Sequence, residues 1–535
     1  MKTLLFFVPA ALLIMIGVAI PLCHMGAEAL TGISNAPTLW HTQWIQEALR
    51  FTVWQAALSS FLSVSSAIPV ALLLANRKWP LRRALLALSA LPFALPSVLV
   101  AFAFVMAYGR SGLLGVAYQS VFGHHLNILY SPHAVVAAHI FFNLPLAVLH
   151  LTNAIETVPQ EHTRSARLLN LSKIQRWRLV IWPHILPTIA TLTMMIAILC
   201  LSSFAIVLLL GGGPQTSTLE VAIYQLLRFD ADPSAAAIVA FAQLLLLIPA
   251  VIMHRIITKS HTSRMPQTFA LTKQENYSSL PVGWKIFAGC VLFTYATYLL
   301  LPLLGLLLDA SREFWPSLRF VRSSNIRDAV LGSLALAIPA SILSVFSAWM
   351  FSNGIAFSAE KWPRISRLAA DTMWLIMGVS PTVLTLGWIV SLSAYDLDPY
   401  GNPYPTILLV HTLLALPLCV RILTPHAEDV HKRFHRSAQV LNLRSWKRLR
   451  FVEWPEMRRP LVSALSLAFA FSLGDVSCVL MFGSGDFKTL PIYIFDLMGA
   501  YRFGAAALAS VILALVCLMF FWFSQSSAHS KETQQ

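Results

Sequence analysis

The stretch RSARLLNLS occupies residues 164–172, and the similar stretch RSAQVLNLR occupies residues 436–444, 272 positions further along the chain. The same shift superimposes further identical residues, which are His139 on His411, Trp182-Pro183 on Trp454-Pro455 and Gly211 on Gly483. No gap is needed between residues 139 and 211. Such a long common register indicates an internal repeat, so the chain is predicted to consist of two homologous halves.

The composition places the chain in a membrane. It is 57% hydrophobic and only 11% charged, whereas a soluble domain carries about a quarter charged residues. Twelve apolar runs, each about long enough to cross the hydrocarbon core, lie near residues 4–22, 51–75, 84–108, 134–155, 185–210, 235–254, 286–308, 329–351, 372–394, 405–420, 461–483 and 504–524. The sequence therefore predicts an all-α polytopic membrane protein with about 12 transmembrane helices.

The two halves are predicted to be parallel repeats. Each half contains six runs, and an even number of helices returns the chain to the same side of the membrane, so both repeated phrases face that side. The predicted division is a first six-helix repeat at 1–258 with its loop at about 156–184, a polar cytoplasmic linker at 259–283, and a second repeat at 284–535 with its loop at about 424–460.

The basic residues predict the orientation. The formal net charge is +15, and with a cytoplasmic N-terminus 29 of the 38 Lys and Arg residues fall on the cytoplasmic side. This asymmetry is typical of the positive-inside rule, and it predicts that both termini are cytoplasmic. The charge therefore indicates topology and no nucleic-acid partner. The first apolar run is long for a signal peptide and lacks a small-residue cleavage site, so we expect it to be retained.

The repeated phrase reads locally as a short amphipathic helix, a turn at Asn170 or Asn442, a basic stretch, and Trp-Pro at the mouth of the next membrane helix. Asn readily adopts the left-handed backbone that such a turn needs. A solvated loop whose arginines only set the orientation is the simpler interpretation. It does not explain why Ser-Ala, Leu-Asn-Leu and Trp-Pro recur in the same register. Two matching docking sites for a two-fold partner would explain that recurrence.

This pattern resembles the EAA loop of ABC importer permeases. In that family the loop is a coupling helix that seats in a groove of the ATPase subunit, so the resemblance implies two ATPase copies and a periplasmic substrate-binding protein as partners. Arg164, Ser165 and Ala166 stand where the family has Glu-Ala-Ala, as do Arg436, Ser437 and Ala438, and Asn170 and Asn442 stand where it has Gly. The basic residue at the acidic position and the Asn in place of Gly are departures from the family pattern.

Further stretches resemble the fused thiamine/thiamine pyrophosphate permeases, a branch of this family. They are FTVWQAALSSFLSV, AHIFFNLPLA, LLLGGGPQTSTLEVAIYQ and GDVSCVLMFGSGDFKTLPIYIF, within roughly residues 50–505. The resemblance implies a permease of the bacterial inner membrane that moves thiamine, and its phosphates, from periplasm to cytoplasm. Fused permeases for ferric iron share the layout and remain the alternative substrate class.

The chain has no phosphate-binding loop of the GxxxxGK[ST] type, and no nucleophile or paired-carboxylate motif stands out. It is therefore predicted not to be an enzyme, and its energy is expected from a separate ATPase subunit. Six cysteines without a CxxC or Cys/His cluster indicate neither a metal nor another cofactor. An ion-coupled secondary transporter is the alternative from another class, although it would not need repeated docking loops.

Four polar residues inside the apolar runs are candidates for the translocation path. Asp475 is the one carboxylate deep in a run, where an ionised Asp costs roughly 2.5–3.5 kcal/mol on insertion scales. Its counterpart in the first half is Ser203, and His139 and His411 occupy matching places. A small-molecule substrate with a positive charge would suit an interior carboxylate. The alternative is structural, with Asp475 and both histidines hydrogen-bonding neighbouring helices.

Overall fold

The computed structural model describes residues 4–75, 77–79, 81–261, 275–276, 281–312, 324–441, 447, 449–483 and 487–529. The helices of the first half are α1 Val8–Thr31, α2 Ala36–His41, α3 Gln43–Leu74, α4 Arg82–Ala94, α5 Ser97–Tyr108, α6 Leu113–Phe122, α7 Pro132–Glu156, α8 Gln160–Leu168, α9 Lys173–Arg176, α10 Trp182–Leu201, α11 Ala205–Leu210, α12 Leu219–Arg228 and α13 Pro233–His261. Those of the second half are α14 Val282–Arg312, α15 Ser324–Lys361, α16 Pro363–Met377, α17 Pro381–Ala394, α18 Tyr404–Val440, α19 Trp454–Gly474, α20 Ser477–Phe482, α21 Leu490–Gly499 and α22 Phe503–His529. A two-residue parallel ladder joins β1 Arg77–Lys78 to β2 Glu275–Asn276.

The membrane spans confirm the predicted fold class. Eleven helices in the described part of the chain are long and apolar enough to cross a bilayer, and the number rises to twelve if α16 and α17 form one bent span. Large apolar side chains on these helices point outward, for example Phe293 and Leu515, which are 72% and 60% exposed. Such a surface suits contact with lipid. The protein is therefore an all-α polytopic membrane protein.

Four of the predicted spans are interrupted, which the apolar runs did not indicate. The run at 84–108 breaks at Leu95 and Pro96, and the run at 372–394 breaks at 378–380 with a bend of 90°. A residue before proline disfavours the helical backbone, and both Leu95 and Ser380 are extended there, with ψ of 132° and 155°. The runs at 185–210 and 461–483 break at 202–204 and 475–476.

The proline breaks belong to the repeat, although the 272-residue shift does not align them. Pro96-Ser97-Val98-Leu99 corresponds to Pro381-Thr382-Val383-Leu384 at a shift of 285 residues. The first half has a longer stretch between this break and the following histidine helix, and α6 (Leu113–Phe122) lies within that stretch. The sequence comparison missed this part of the repeat because the insertion changes its register.

The first helix of each half packs on the opposite half. Helix α1 lies against α15 and α17, where Trp388 Nε1 donates to the Gly17 carbonyl at 3.2 Å. Helix α14 lies against α5 of the first half, and its Tyr295 hydroxyl is 2.6 Å from the hydroxyl of Ser89 on α4. Residues 8–31 are thus an integral part of the bundle. This reciprocal exchange ties the two halves together at the periphery.

The two repeated phrases differ in local structure. In the first half α7 ends at Glu156, and a separate helix, α8, carries the phrase. In the second half α18 continues without a break to Val440, so the expectation of a separate short helix is wrong there. Pro159 explains the difference, because it has no N–H to donate and the matching residue is His431. In each half the phrase follows the helix that contains the matching histidine, α7 in the first half and α18 in the second. That both phrases share one end of the bundle stays a prediction, and we call this end the basic end.

Candidate functional site

The turn at Asn170 has the predicted left-handed backbone, with φ of 53°. The Leu171 N–H donates to the Ala166 carbonyl at 3.0 Å, which is the six-to-one hydrogen bond of a Schellman motif with Asn170 as its left-handed residue. Ser172 and Gln175 then cap each other's backbone N–H groups at 2.9 and 3.3 Å. Three local hydrogen bonds therefore specify where the helix ends, where the chain turns and where the next helix begins.

The exposed face of this segment is apolar as well as basic. Arg164, Ser165 and Asn170 are exposed, whereas Ala166 is only 3% exposed because α8 packs on the turn at 177–181. The outward side chains include three large apolar groups, Leu168, Leu169 and Ile174, which are 88%, 71% and 78% exposed. We call these three residues the loop patch. Sequence reasoning singled out the small residues and missed the leucines, although the LLNL spacing contained them.

The second docking segment is described only in part. The backbone of Arg436, Ser437 and Ala438 is helical at the end of α18, but their side chains, and the whole of Asn442, lie outside the described residues. Leu441, the counterpart of Leu169, is 68% exposed. The docking role of both segments stays a prediction.

Inside the bundle, Asp475 and His411 lie together at the break between α19 and α20. His411 Nε2 is 3.2 Å from Asp475 Oδ2, and His411 Nδ1 is 2.8 Å from the Ser472 hydroxyl. The carboxylate also accepts from the N–H groups of Ser477 and Cys478 at 3.3 and 3.1 Å. Asp475 thus caps α20, where the helix dipole and free N–H groups favour an anion.

The first half repeats this arrangement with a neutral residue. His139 Nε2 is 2.8 Å from the hydroxyl of Ser203, which lies in the break between α10 and α11. Asn143 supports the pair by donating to the His139 carbonyl at 2.8 Å. The structure therefore gathers the four predicted path residues into two equivalent pairs, each at a helix break. Whether substrate passes them stays a prediction.

Three further polar residues surround the first-half break, and sequence reasoning missed them. Gln55 and Gln243 donate to the Cys200 and Leu201 carbonyls, both at 2.8 Å, and Gln243 also donates to Glu220 Oε1 at 3.0 Å. All three side chains are fully buried. Glu220 escaped notice because it lies between two apolar runs, on the short helix α12. The signal was present as a lone acidic residue followed by the apolar stretch VAIY.

Glu220 also links the two halves. The hydroxyl of Ser380, at the bend between α16 and α17, lies close enough to its carboxylate to interact with it. On the same short helix, Arg228 lies over the ring of Tyr400 from the second half at 5.7 Å. Helix α12 therefore contacts the second half at both of its ends, and its first turn connects the first-half break to the second-half bend.

His411, Asp475 and Cys478 are a possible metal-binding group, since their donor atoms lie within 4.8 Å of one another. These donor types suit zinc. However, the Asp475 oxygens already accept two backbone hydrogen bonds and the Cys478 thiol lies against the Thr385 hydroxyl. The group is therefore explained as a hydrogen-bonded cap, and the expected absence of a metal stays a prediction.

Comparison with known families identifies both halves. The family model described as binding-protein-dependent transport system inner membrane component matches residues 67–262 and 322–528. The chain is 34% identical over 514 residues to the thiamine transport system permease protein ThiP of Brucella abortus (strain 2308), covering 96% of this chain and 93% of that protein. It is 32% identical over 511 residues to the ThiP protein of Escherichia coli (strain K12), covering 91% of each.

One solved structure is similar to about half of the chain. It is the crystal structure of a bacterial alginate ABC transporter in complex with an alginate pentasaccharide-bound periplasmic protein. The similarity covers 50% of this chain and 93% of the solved chain, with 18% sequence identity and a TM-score of 0.43.

Proposed function

The chain belongs to the family of binding-protein-dependent transport system inner membrane components, the permeases of ABC importers, and we propose that it forms the membrane pathway of an importer for thiamine and thiamine phosphates. The substrate assignment rests on the similarity to thiamine transport permeases along 96% of the chain. Because both halves lie in one chain, a single copy supplies both sides of the pathway.

The energy comes from a partner. We propose that the basic end faces the cytoplasm, with both termini there, as the distribution of Lys and Arg favours. Two copies of an ATPase subunit then dock on the two repeated segments, one on each half. The loop patch (Leu168, Leu169 and Ile174) supports this proposal, because exposed apolar side chains beyond the membrane are typical of a protein interface. A periplasmic binding protein delivers substrate at the opposite end.

The helix breaks offer a way to move the substrate. Thiamine carries a fixed positive charge on its thiazolium ring, and Asp475 presents a carboxylate at a place where the helix is already interrupted. Discontinuous helices are the usual means by which a membrane protein exposes polar groups to a path. Two backbone N–H groups and the His411 imidazole already contact the Asp475 carboxylate, which favours a transient contact with substrate over tight binding.

A growth experiment tests the substrate. A thiamine auxotroph that lacks this chain is expected to need much more external thiamine, and the wild-type gene is expected to restore growth at limiting thiamine. Direct uptake of labelled thiamine by the same cells gives the rate. Equal growth at limiting thiamine together with impaired ferric iron uptake would replace the thiamine assignment by the ferric one.

A further inference from the structure

Three short helices from both halves pack on one another beside the second-half break. They are α12 of the first half and α17 and α20 of the second half. Glu220 in the first turn of α12 lies close to Ser380 at the start of α17, and Cys478 in the first turn of α20 lies against Thr385 of α17. The three helices therefore begin near one level, which is the level of the helix breaks, and run on from it side by side.

At the other end of α12, the Arg228 guanidinium reaches the second half at two places. Its Cζ lies 5.7 Å from the centre of the Tyr400 ring. It also lies against Gly483, the residue that ends α20, where even a methyl group would overlap it. Gly483 has a left-handed backbone with φ of 58°, so glycine suits this position both by its conformation and by its size. Arg228 thus connects the first half to the end of α20 and to the loop before α18.

Helix α20 therefore has an acidic group of its own half at its start and a basic group of the other half at its end. Asp475 accepts from the N–H groups of the first turn, and a cation is favoured near the last turn of a helix. The helix has six residues, about 9 Å at 1.5 Å per residue. Helices α19 and α20 lead away from the second phrase, so Arg228 lies beyond Asp475, toward the end of the bundle that we propose to be periplasmic.

The contact between Arg228 and Tyr400 is built to open. A local turn holds the tyrosine, since Asp398 Oδ1 accepts from the Tyr400 N–H at 2.9 Å. The Tyr400 side chain is nevertheless 40% exposed, and Arg228 is exposed as well. An exposed cation–π contact is weak, and breaking it uncovers no apolar core. The two halves can therefore separate here more easily than where they share buried side chains.

The fold itself does not require an arginine at this place. Helices α12 and α21 are equivalent in the two halves, because the N–H groups of Leu219 and Leu490 each donate to a hydroxyl of the long helices α3 and α15, at 2.9 and 2.6 Å. The shift of 271 residues between these two leucines places Arg228 on Gly499. The second half therefore forms the same helix with no side chain at this position. The arginine occurs where α12 faces the helix that Asp475 caps.

We infer that Arg228 is a positioning residue that closes the path to Asp475 from the periplasmic side, by holding the end of α20 and the Tyr400 loop against the first half. This inference rests on the proposed function. The Asp475 side chain is only 9% exposed, so a substrate reaches it only after neighbouring groups have moved. Departure of Arg228 from Gly483 and Tyr400 frees α20 from the first half, and it also removes a positive charge from the way of a cationic substrate.

Cross-linking tests whether the contact opens during transport. The exposed cysteines Cys23 and Cys290 are replaced by Ser, and Arg228→Cys and Tyr400→Cys are combined. The permease is reconstituted in vesicles with its ATPase and binding protein, and the new cysteines are joined by a bifunctional methanethiosulfonate reagent. We expect the cross-link to abolish uptake of labelled thiamine and dithiothreitol to restore it.

A second cysteine pair is the matched control for the cross-link. Lys488→Cys and Asp496→Cys replace an exposed ion pair whose two members both belong to the second half, with Nζ and Oδ2 at 3.2 Å. Joining them does not tie the halves together, so uptake should stay at its level before the reagent is added.

The buried thiol of Cys478 on α20 reports opening without any substrate. With the other five cysteines replaced, a membrane-impermeant maleimide is added outside right-side-out vesicles that contain the importer. Arg228→Ala is expected to speed labelling of Cys478 about two- to fivefold, the effect of one exposed cation–π contact on the closed-to-open equilibrium. Tyr400→Ala should act in the same way, Arg228→Lys should lie between, and Tyr400→Phe, which keeps the ring, should match the wild type.

The outcomes separate this inference from the proposed function. Normal uptake by the cross-linked permease would overturn the inference, because the contact would then stay closed throughout transport. Labelling of Cys478 at the wild-type rate in both Arg228→Ala and Tyr400→Ala would overturn it as well. If the double-cysteine variant does not transport before cross-linking, the labelling rates decide. If the wild-type importer takes up no thiamine, the proposed function fails, whereas labelling of Cys478 still decides the role of Arg228.

Discussion

Ser203 and Asp475 occupy equivalent helix breaks, and each contacts a histidine that lies 64 residues earlier in the chain. The two halves thus share one arrangement, a histidine from an unbroken helix bonded to the residue that interrupts another. They differ in charge, because the first half has a hydroxyl where the second has a carboxylate. A path between such halves would have a negative charge on one side only, which suits a ligand with one cationic group.

The substitution Asp475→Asn removes the negative charge at the second-half break but keeps nearly the same side-chain shape. The N–H groups of Ser477 and Cys478 donate to different oxygens of Asp475, and the single amide oxygen of Asn can still accept from one of them, so part of the cap on α20 and the expression level should persist. Loss of the negative charge is expected to lower thiamine uptake by about tenfold or more, because a charged hydrogen bond contributes roughly 1.5–3 kcal/mol. Uptake in vesicles with ATPase and binding protein is the measurement. Asp496→Asn, an exposed carboxylate paired with Lys488, is the control.

A purely structural role for Asp475 would give another pattern. Asp475→Asn would then transport normally, and only Asp475→Leu, which leaves the N–H groups of α20 without an acceptor, would reduce the amount of folded protein. That result would remove Asp475 from the translocation path and retain it as a helix cap.

The loop patch is expected to hold the ATPase. Replacing Leu168 and Leu169 together with Ser should reduce co-purification of the ATPase and abolish uptake, since these side chains are 88% and 71% exposed and support no core of their own. Insertion and thermal stability should stay at the wild-type level. Val121→Ser, at an exposed apolar residue of α6, provides a control outside the repeated segment. Full ATPase recovery with the double variant would refute docking through this patch.

Substitutions at the neighbouring residues Ala166 and Ser165 test which face of α8 is available for docking. Ala166 is 3% exposed and Ser165 is exposed. Ala166→Glu is therefore expected to unfold the segment locally, because a charge cannot be buried there without a partner. Ser165→Glu is expected to keep the fold. Proteolysis of the loop should thus accelerate in the first variant alone, and equal protection of both would show that Ala166 faces outward.

The turn at Asn170 predicts a backbone-specific response. Its φ of 53° suits Asn and Gly but costs a β-branched residue roughly 1–2 kcal/mol. Asn170→Gly should therefore keep uptake and ATPase binding, whereas Asn170→Val should weaken both by distorting the Schellman motif. The measurement is ATPase co-purification alongside uptake. Comparable activity of Gly and Val variants would mean that the left-handed turn is not needed for coupling.

The sequence predicted the spans well because hydropathy is a property of long segments. All twelve apolar runs overlap helices of the structure, and the 272-residue repeat located both histidine pairs. The repeat also located the phrase around Asn170, whose turn is set by neighbouring residues. Such a local structure can be predicted from sequence, because the groups that form its hydrogen bonds lie only a few positions apart in the chain.

The interruptions were harder to predict. Asp475 at this break contacts His411, which lies 64 residues earlier in the chain, and no local propensity encodes such a contact. The break at Pro96 was visible in principle, because proline disfavours helix in the preceding residue. Glu220 was missed for a related reason: its partners Gln243 and Ser380 come from two other helices, so its burial follows from the tertiary fold alone.

Glu220 gives the last prediction. Its carboxylate accepts from Gln243 and faces Ser380 across the two halves, in a fully buried place. Glu220→Leu leaves the second N–H of Gln243 without this acceptor, and an unsatisfied buried group costs roughly 1–3 kcal/mol. We expect lower thermal stability of the purified permease and a weaker link between the halves. Glu220→Gln keeps one acceptor oxygen and should retain most of the stability.

The control is Glu28→Leu, at a less buried carboxylate that accepts from the Ser234 hydroxyl at 2.5 Å. If Glu220→Leu melts at the wild-type temperature, α12 does not depend on this bond, and the contact between Arg228 and Tyr400 would have to hold it against the second half.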